Sequence, residues 1–308
     1  MAHLMKLPKH GQKGILLFTH KEIAKYNASL KQIRFEEINK ITNKFFQPNK
    51  LKPYYAAKFA QLKEHYFLGQ HFGWYHRDYV GVDEIDFYLA TESTVGFKYP
   101  ADPFRIPLSS SSFIHRAFRP KEYGLKIWDI ITVTHNGKHK RMRDFVLAVR
   151  KAYDQGKRYK VLLLNKKNIK EPGKGFDNEV IDIYYELFDD IERQSFVLMR
   201  LSGDMSVMGM PSETVAQLLN LSKVFALFSE QEGEPRAVAE ALICGLPVVT
   251  WKYIRAGGSI DHLNEKNSVR FETYEEAGYA LIEAVENYAD FEVDTEGLAQ
   301  RLREDYTI

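Results

Sequence analysis

The segment 225–250, FALFSEQEGEPRAVAEALICGLPVVT, constrains the fold of this chain more than any other part of the sequence. Residues 224–228 are apolar and form a run short enough for a buried parallel strand. A polar loop containing Gly233 follows, and the run 237–244 favours a helix that a Gly-Leu-Pro sequence would end. Residues 246–250 are again apolar. This order predicts a strand–loop–helix–strand unit in a parallel sheet.

Two glutamates of this unit have positions that suit ligand binding. Glu232 lies in the predicted loop, and Glu240 lies in the predicted helix. A loop at the carboxyl end of a parallel strand is the place where open α/β sheets bind their ligands. The helix that follows directs its positive amino end toward the same place. The loop and the start of this helix are therefore a candidate ligand site.

The sequence EGEPRAVAEALICGLPVV resembles the donor-binding signature of family-4 glycosyltransferases, which have the GT-B fold. In that family two glutamates with this spacing face a nucleotide sugar. A small residue, Cys-Gly, x-Pro and two valines then follow in the same order as here. The alternative, that both glutamates are ordinary solvated helix residues, leaves this flanking pattern unexplained.

The resemblance implies a role for each part of the signature. Glu232 would bind sugar hydroxyls near the reacting face as a catalytic residue, and Glu240 would bind the ribose. The helix start would hold the sugar of the donor, through Gly233, Glu234, Pro235 and Arg236. The resemblance also implies retention of anomeric configuration, a nucleotide-diphosphate sugar as donor substrate, and neither an essential metal nor another cofactor.

A second segment supports the same resemblance. Residues 128–133 (WDIITV) are apolar, and the polar sequence THNGKHKRMRD separates them from a helical pattern. In the family this strand ends in Gly-Arg, and a lysine five residues after that arginine helps it to neutralise the donor diphosphate. Lys140 occupies the lysine position here, whereas His135 occupies the arginine position. Lys140 is therefore a catalytic and donor-binding candidate, with His135 or a nearby arginine such as Arg141 completing the charge.

The rest of this half alternates between strands and helices, as a doubly wound domain does. Apolar runs predict strands at 160–164 and 196–203. Amphipathic patterns and capping residues predict helices at 178–193, from Ser212, at 274–288 and at 295–305. The resemblance covers residues 126–308 and implies an α/β, GT-B-like fold of two Rossmann-like domains. Residues 126–308 would form the C-terminal domain, which binds the nucleotide sugar.

Residues 1–125 are predicted to form a short, basic N-terminal domain on the acceptor side. Patterns favour strands at 14–20 and 85–94 and helices at 29–46 and 54–66. The Gly-rich turn that many GT-B enzymes carry after their first strand is absent, and a typical GT-B first domain is longer. We therefore expect this domain to be abbreviated or atypical, and its strand order stays open.

The sequence EHYFLGQHFGWYHRD at 64–78 concentrates histidine and aromatic side chains. Family-4 enzymes often place a first-domain histidine near the transferred sugar, which makes His71 and His76 further catalytic candidates. A histidine with a purely structural role is the alternative interpretation for each. Their spacing does not place both on one face of a helix, so we do not predict a metal pair.

Charge is distributed unevenly along the chain. Residues 1–126 contain 20 Lys and Arg and 11 Asp and Glu, a net charge of +9 in a chain whose total is +2. A basic domain rich in aromatic residues indicates an anionic partner. The preferred prediction is an anionic membrane surface that carries a lipid-linked acceptor, and DNA is the alternative. A merely solvated basic face is the third interpretation, and the oligomeric state is not predicted.

The composition is that of a globular protein. Apolar residues make up 44% of the chain and charged residues 27%, and no apolar run approaches the roughly 18 residues needed to span a bilayer. The first residues lack a secretory signal pattern, and the single cysteine, Cys244, excludes an internal disulfide. We therefore expect a cytoplasmic protein, peripheral to the inner face of the membrane.

The combined prediction is a retaining glycosyltransferase, a hexosyl- or pentosyltransferase, that moves a sugar to an acceptor such as a lipid-linked sugar or a polysaccharide. A phage or viral DNA-base glycosyltransferase would share the donor half and differ in its acceptor. A non-catalytic nucleotide-sugar-binding or scaffold protein is the alternative from another class. His135 and the missing Gly-rich turn favour that alternative, whereas the intact pair of Glu232 and Glu240 argues against it.

Overall fold

The computed structural model describes residues 3–18, 23, 54–71, 84–89, 104–106, 110–135, 137–166, 176–201 and 209–303. The chain divides into two compact units, Met1–Ser110 and Ser111–Ile308. The predicted helix at 29–46 and the candidate His76 lie outside the described residues.

The first unit contains a sheet whose described strands follow the order β1–β2–β3–β4–β5. These strands are His3–Lys6 (β1), Gly14–Phe18 (β2), Tyr66–His71 (β3), Phe87–Leu89 (β4) and Phe104–Ile106 (β5), and helix α1 spans Tyr54–His65. β1 pairs antiparallel with β2, whereas the later neighbours pair parallel. The strand predicted at 14–20 is present as β2, and the helix predicted at 54–66 is present as α1. The sequence patterns did not predict β1.

A tight turn brings β1 against β2. His10 and Gly11 adopt positive φ angles of 50° and 76°. The backbone N–H of Gln12 donates to the carbonyl of Lys9 at 3.0 Å, and the reverse bond is 3.3 Å long. Because glycine adopts positive φ without steric cost, Gly11 permits the chain to reverse here.

The second unit contains a six-stranded sheet in which every neighbouring pair of strands is parallel. In chain order the strands are Trp128–His135 (β6), Val161–Lys166 (β7), Phe196–Leu201 (β8), Ser222–Leu227 (β9), Val248–Trp251 (β10) and Ser268–Phe271 (β11). The described helices are Met142–Asp154 (α2), Phe176–Leu187 (α3), Glu192–Ser195 (α4), Ser212–Asn220 (α5), Arg236–Ile243 (α6), Ala277–Glu286 (α7) and Thr295–Leu302 (α8). Short 3₁₀ helices occupy Ser110–Ser112, Lys138–Lys140, Gly258–His262 and Tyr288–Asp290.

The strand order across this sheet is β11–β10–β9–β6–β7–β8. From β6 the chain adds β7 and then β8 on one side of the sheet. It then returns to the other side of β6 and adds β9, β10 and β11 in turn. The strand order reverses between β6 and β9, so the loops that follow these two strands lead to opposite faces of the sheet and leave a crevice at their carboxyl ends. Doubly wound sheets bind their ligands at such a point.

Helices cover both faces of this sheet, so the strands are apolar on both faces. Successive residues of one strand contribute to different cores, as Ile130 and Ile131 do. Helices α2, α3 and α7 supply the first core, which includes Phe145 and Leu281. Helices α5, α6 and α8 supply the second, which includes Leu242. Burial on two faces explains the continuous apolar runs that predicted these strands.

The helix predicted at 178–193 is divided into α3 and α4. Asp189 interrupts it, because its Oδ1 accepts hydrogen bonds from the backbone N–H groups of Ile191 at 2.9 Å and Glu192 at 2.8 Å. Such a local side-chain bond competes with the helical pattern. The last two predicted helices are found as α7 and α8, and the side chain of Asp294 caps α8 by accepting from Gly297 N.

Residues 111–127 pack with the second unit. The backbone N–H of Ile114 donates to the carbonyl of Leu302 at 2.7 Å. The side chain of Asn220 donates to the carbonyl of Arg119 at 3.0 Å and accepts from the N–H of Lys121 at 2.7 Å. A buried amide that bonds to two backbone positions fixes the path of this connecting segment.

Cys244 belongs to the core of the second unit. Burial raises the pKa of its thiol to about 12. The thiol is therefore protonated at neutral pH, and a protonated thiol is a poor nucleophile. This agrees with the expectation, drawn from its apolar helix, of a buried and inert cysteine.

Candidate functional site

Backbone hydrogen bonds fix the loop that follows β9. The N–H of Glu232 donates to the carbonyl of Arg255 at 2.9 Å, and the N–H of Gly257 donates to the carbonyl of Gly233 at 2.9 Å. The loop after β10 therefore holds the loop after β9 in place through backbone hydrogen bonds. A polar segment without regular secondary structure satisfies its backbone groups in this way.

The start of helix α6 is fixed by two further bonds. Ser259 Oγ donates to the carbonyl of Pro235 at 2.7 Å, and the guanidinium of Arg236 donates to the carbonyl of Phe113 at 3.0 Å. Glu240 lies one turn farther along the helix and is half-buried. Burial raises the pKa of Glu240, and the charge of Arg236 partly offsets this effect. The predicted donor-binding residues at the helix start therefore occupy one turn and its preceding loop.

The loop that follows β6 is compact and contacts the loop after β9. A Cβ atom at Gly137 would lie 2.7 Å from the His139 ring, so a glycine allows this ring to pack over the backbone. The carbonyl of His139 accepts a hydrogen bond from the N–H of Glu230 at 2.8 Å. This bond joins the two loops that border the crevice.

Lys140 and Glu232 meet at the crevice. Lys140 Nζ lies 2.5 Å from Glu232 Oε1, and the side chains are only 14% and 10% exposed. The hydroxyl of Ser229 donates to the same carboxylate oxygen. The two charged residues are 92 positions apart in the chain, and each is the principal candidate of its motif. The structure therefore brings the two motifs into direct contact.

This arrangement can bind a ligand that carries both negative charge and hydroxyl groups. A largely buried ion pair is costly to desolvate, and it is stable only while each charge keeps a partner. An anion that enters the crevice can take the place of Glu232 beside the ammonium of Lys140. Glu232 then retains the bond from Ser229 and offers its remaining lone pairs to ligand hydroxyls.

His135 and His139 lie side by side at the end of β6. Their ring centroids are 5.6 Å apart with an interplanar angle of 89°. Burial lowers the pKa of His139, and the nearby charge of Lys140 lowers it further. His139 is therefore neutral at physiological pH, so it adds no cation to the loop.

The two arginines of the basic run have acidic partners of their own. Arg141 Nε lies 2.9 Å from Asp144 Oδ2, and Arg143 Nε lies 3.5 Å from Glu179 Oε1. Burial raises the pKa of Asp144, although both arginines oppose this shift. Lys140 is the residue of this run that contacts Glu232.

The two first-domain histidines are not placed at this site by the structure. His71 ends β3, where its backbone pairs with Leu89, and its side chain lies outside the described part of the chain. His76 is outside the described residues altogether. A catalytic role for either histidine stays a prediction.

Three residues near the site were not singled out from the sequence. The hydroxyl of Ser229 donates to Glu232, and the backbone carbonyl of Arg255 accepts from the N–H of Glu232. The ring centroid of Tyr274 lies 4.4 Å from the guanidinium of Arg141. Ser229 directly follows an apolar strand, a position that could have marked it. The other two carry no local signal, because their contacts come from loops that are distant in sequence.

Among the described residues, no group of three or more His, Cys, Asp or Glu side chains could hold a metal ion. The absence of a metal requirement stays a prediction.

No protein family and no curated protein matches the sequence, but several solved structures share its fold. The Anabaena protein HepE, in complex with UDP and glucose, is 12% identical, with a TM-score of 0.61 over 85% of this chain and 81% of that chain. The pneumococcal O-GlcNAc transferase GtfA, in complex with UDP and GlcNAc, is 14% identical, with a TM-score of 0.57 over 81% and 52%. Sucrose-phosphate synthase from Thermosynechococcus elongatus is 12% identical, with a TM-score of 0.55 over 82% and 66%.

These likenesses confirm the predicted α/β, GT-B-like fold, because the similar structures are GT-B glycosyltransferases. The chain spans about half the length of GtfA, 52%. At 12–14% identity the likeness defines the fold, and the arrangement of the site residues is what bears on activity.

Proposed function

We propose that this protein is a glycosyltransferase that takes a sugar from a nucleotide-diphosphate sugar bound by its second unit. The observation that carries the proposal is the 2.5 Å contact between Lys140 and Glu232 at the crevice between β6 and β9. It places a cation suited to a diphosphate beside a carboxylate suited to sugar hydroxyls. HepE and GtfA were both solved with UDP, which supports this class of donor.

In this proposal catalysis consists mainly of positioning the donor and stabilising the leaving group. Lys140, assisted by His135 or a neighbouring cation, offsets the charge that develops on the diphosphate as the glycosidic bond breaks. The amino end of α6 adds partial positive charge. Glu232 binds sugar hydroxyls near the reacting face, and an acceptor hydroxyl rather than a glutamate is the nucleophile. Attack from the face that the diphosphate leaves would retain the anomeric configuration.

Glu240 is proposed to bind the ribose of the donor. A carboxylate can accept hydrogen bonds from two vicinal hydroxyls, and such bonds favour its charged form. The donor would thus counteract the burial that raises the pKa of Glu240 in the unliganded protein. Arg236, one turn earlier, acts in the same direction.

The acceptor is proposed to be a lipid-linked sugar or a polysaccharide presented at an anionic surface. The net charge of +9 on residues 1–126 supports an anionic partner, and each basic residue near an anionic membrane contributes roughly 1 kcal/mol. None of the described helices combines the length and apolar character needed to cross a bilayer. The proposed association is peripheral and rests on the basic charge of residues 1–126. A modified base in DNA is the alternative acceptor.

A thermal-shift screen tests the donor. The protein is heated with UDP-, GDP-, ADP- and TDP-sugars, and the matching donor should raise the melting temperature, because a ligand at 100 times its Kd stabilises by about 2.7 kcal/mol. Lys140→Ala provides the matched control and should reduce the shift. A flat response to all four donors would contradict the proposal. Hydrolysis or transfer of the matching donor then separates an enzyme from a scaffold.

Sedimentation tests the acceptor surface. The protein is mixed with neutral vesicles, anionic vesicles or duplex DNA at low and high salt. Binding to anionic vesicles should weaken as the Debye length falls from about 10 Å at 0.1 M to about 3 Å at 1 M. Binding to DNA alone, with a steep salt dependence, would indicate the DNA-base alternative. No binding to either surface at low salt would favour a small dissolved acceptor.

A further inference from the structure

Arg141 has an unusual backbone conformation at the edge of the crevice. Its φ of 52° and ψ of 37° lie in the left-handed region, which a residue other than glycine adopts only when its surroundings enforce it. Its N–H donates to the carbonyl of Lys138 at 3.2 Å, and its carbonyl accepts from the N–H of Phe145 at 3.1 Å. It therefore ends the 3₁₀ turn and begins α2. The reversal at Arg141 determines the direction in which the adjacent Lys140 projects.

The side chain of Arg141 is held on two sides. Its guanidinium lies 4.4 Å from the centroid of the Tyr274 ring, and its Nε lies 2.9 Å from Asp144 Oδ2. The ring itself is fixed, because the hydroxyl of Tyr274 donates to the carbonyl of Phe228 at 3.0 Å. The ring of Trp251 also stacks on it, with centroids 5.7 Å apart. A cation above an aromatic face is held by the ring quadrupole.

Tyr274 touches both loops of the crevice. Through Arg141 it contacts the loop after β6, and through the carbonyl of Phe228 it contacts the start of the loop after β9. Phe228 directly precedes Ser229, whose hydroxyl donates to Glu232. One ring therefore sets the spacing between the segment that carries Lys140 and the segment that carries Glu232.

We propose that Arg141 and Tyr274 form a positioning pair that holds Lys140 against Glu232, and that Arg141 does not itself contact the donor diphosphate. The inference rests on the proposed donor function and changes the role that the sequence suggested for Arg141. The carboxylate of Asp144 engages Nε of Arg141 and the ring of Tyr274 covers one face of its guanidinium, so these two contacts fix the orientation of the side chain. Its contribution to donor binding would then pass through the backbone at 140–141.

A double-mutant cycle distinguishes positioning from direct contact. UDP affinity is measured by calorimetry for Arg141→Ala, Tyr274→Leu and the double variant. Each single change should weaken UDP binding about tenfold, and the double variant should bind about as well as either single one, because both remove the same contact. Tyr274→Phe keeps the ring beside Arg141 but removes the hydroxyl that donates to the carbonyl of Phe228, so it should weaken UDP binding less than Tyr274→Leu does. If Tyr274→Leu binds UDP like the wild type while Arg141→Ala is weakened, Arg141 contacts the phosphate and the proposal is wrong.

Hydrogen exchange tests the positioning without any ligand. The N–H of Glu230, which donates to the carbonyl of His139, should exchange faster in both single variants, because the two loops separate more readily. Tyr279→Leu is the matched control: Tyr279 lies on α7, and its ring contacts Lys151 Nζ of α2 at 4.2 Å rather than Arg141. Unchanged exchange at Glu230 in both variants would overturn the positioning role. Faster exchange in a protein that binds no UDP would instead refute the donor function and leave the positioning pair standing.

Discussion

The two loops that border the crevice keep their shape by different means. The loop after β9 is held by backbone hydrogen bonds, in which Glu232 and Gly233 pair with the loop after β10. The loop after β6 has backbone bonds within its own 3₁₀ turn and one to Glu230, and it depends in addition on side chains, with His139 packed over Gly137 and Arg141 stacked on Tyr274. Both loops follow central strands of the same parallel sheet.

This difference accounts for how closely each loop follows the family-4 pattern. A loop held through backbone bonds needs particular residues only where glycine, proline or a functional side chain is required, and the segment containing Glu232 keeps the whole pattern. A loop that also depends on side-chain contacts can be rebuilt with other residues if distant partners accommodate them. His135 stands where the family has arginine, and this departure occurs in the loop of the second kind.

The largest expected effect concerns the loop held by its backbone. Glu232→Ala should reduce turnover about 100-fold, because contacts that tighten in the transition state act on kcat. Steady-state transfer or donor hydrolysis measures this effect, and donor affinity should change far less.

Glu230→Ala is the matched control on the same loop. Its side chain is 44% exposed and lies 3.8 Å from Arg255, so its removal should leave turnover close to that of the wild type. Equal losses of turnover in the two variants would show that turnover depends on the structure of the whole loop and not on the carboxylate of Glu232.

A smaller effect is expected in the loop after β6. Lys140→Ala should weaken the binding of donor and of free UDP alike, by about 2 kcal/mol or roughly 30-fold, because both ligands carry the diphosphate charge. Calorimetry with UDP measures this loss. Lys138→Ala, on the same turn and exposed, should cost much less. Unchanged UDP affinity in Lys140→Ala would mean that the lysine has been matched to the wrong family position.

The smallest effect concerns the stability of the protein and the half-buried carboxyl of Glu240 on α6. Because its pKa is raised above the usual 4.5, folded Glu240 keeps its proton at a pH where the unfolded chain has lost it. The stability this proton contributes is complete below about 4.5 and decreases as pH rises through the folded pKa. Glu240→Gln mimics the protonated form, so it should melt slightly above the wild type at pH 7–8.

The advantage of Glu240→Gln should shrink as the pH approaches 4.5. The same variant should bind the donor more weakly, since an amide accepts fewer bonds from the ribose hydroxyls than a carboxylate does. Thermal melts at two pH values and a donor titration measure both effects. A melting temperature that is higher at neutral pH together with undiminished donor affinity would remove Glu240 from the donor site.

Much of the second unit could be predicted from local patterns. The strands at β6, β7 and β9 appear as apolar runs, and α6 ends at a Gly-Leu-Pro sequence as expected. The division between α3 and α4 was missed because the interruption comes from one side chain, Asp189. In the first unit β1 was missed because a turn at Gly11, and not an apolar alternation, creates it.

The sequence by itself determined the strand–loop–helix–strand unit and the placement of Glu232 and Glu240 on it. Those features depend on neighbouring residues, through apolar runs, helix formers and a glycine at the helix end. Only the tertiary structure decided that Lys140 contacts Glu232, 92 positions away, and that Tyr274 supports Arg141. Such contacts follow from the order of strands across the sheet, and that order results from packing the helices on both faces of the sheet rather than from any local pattern.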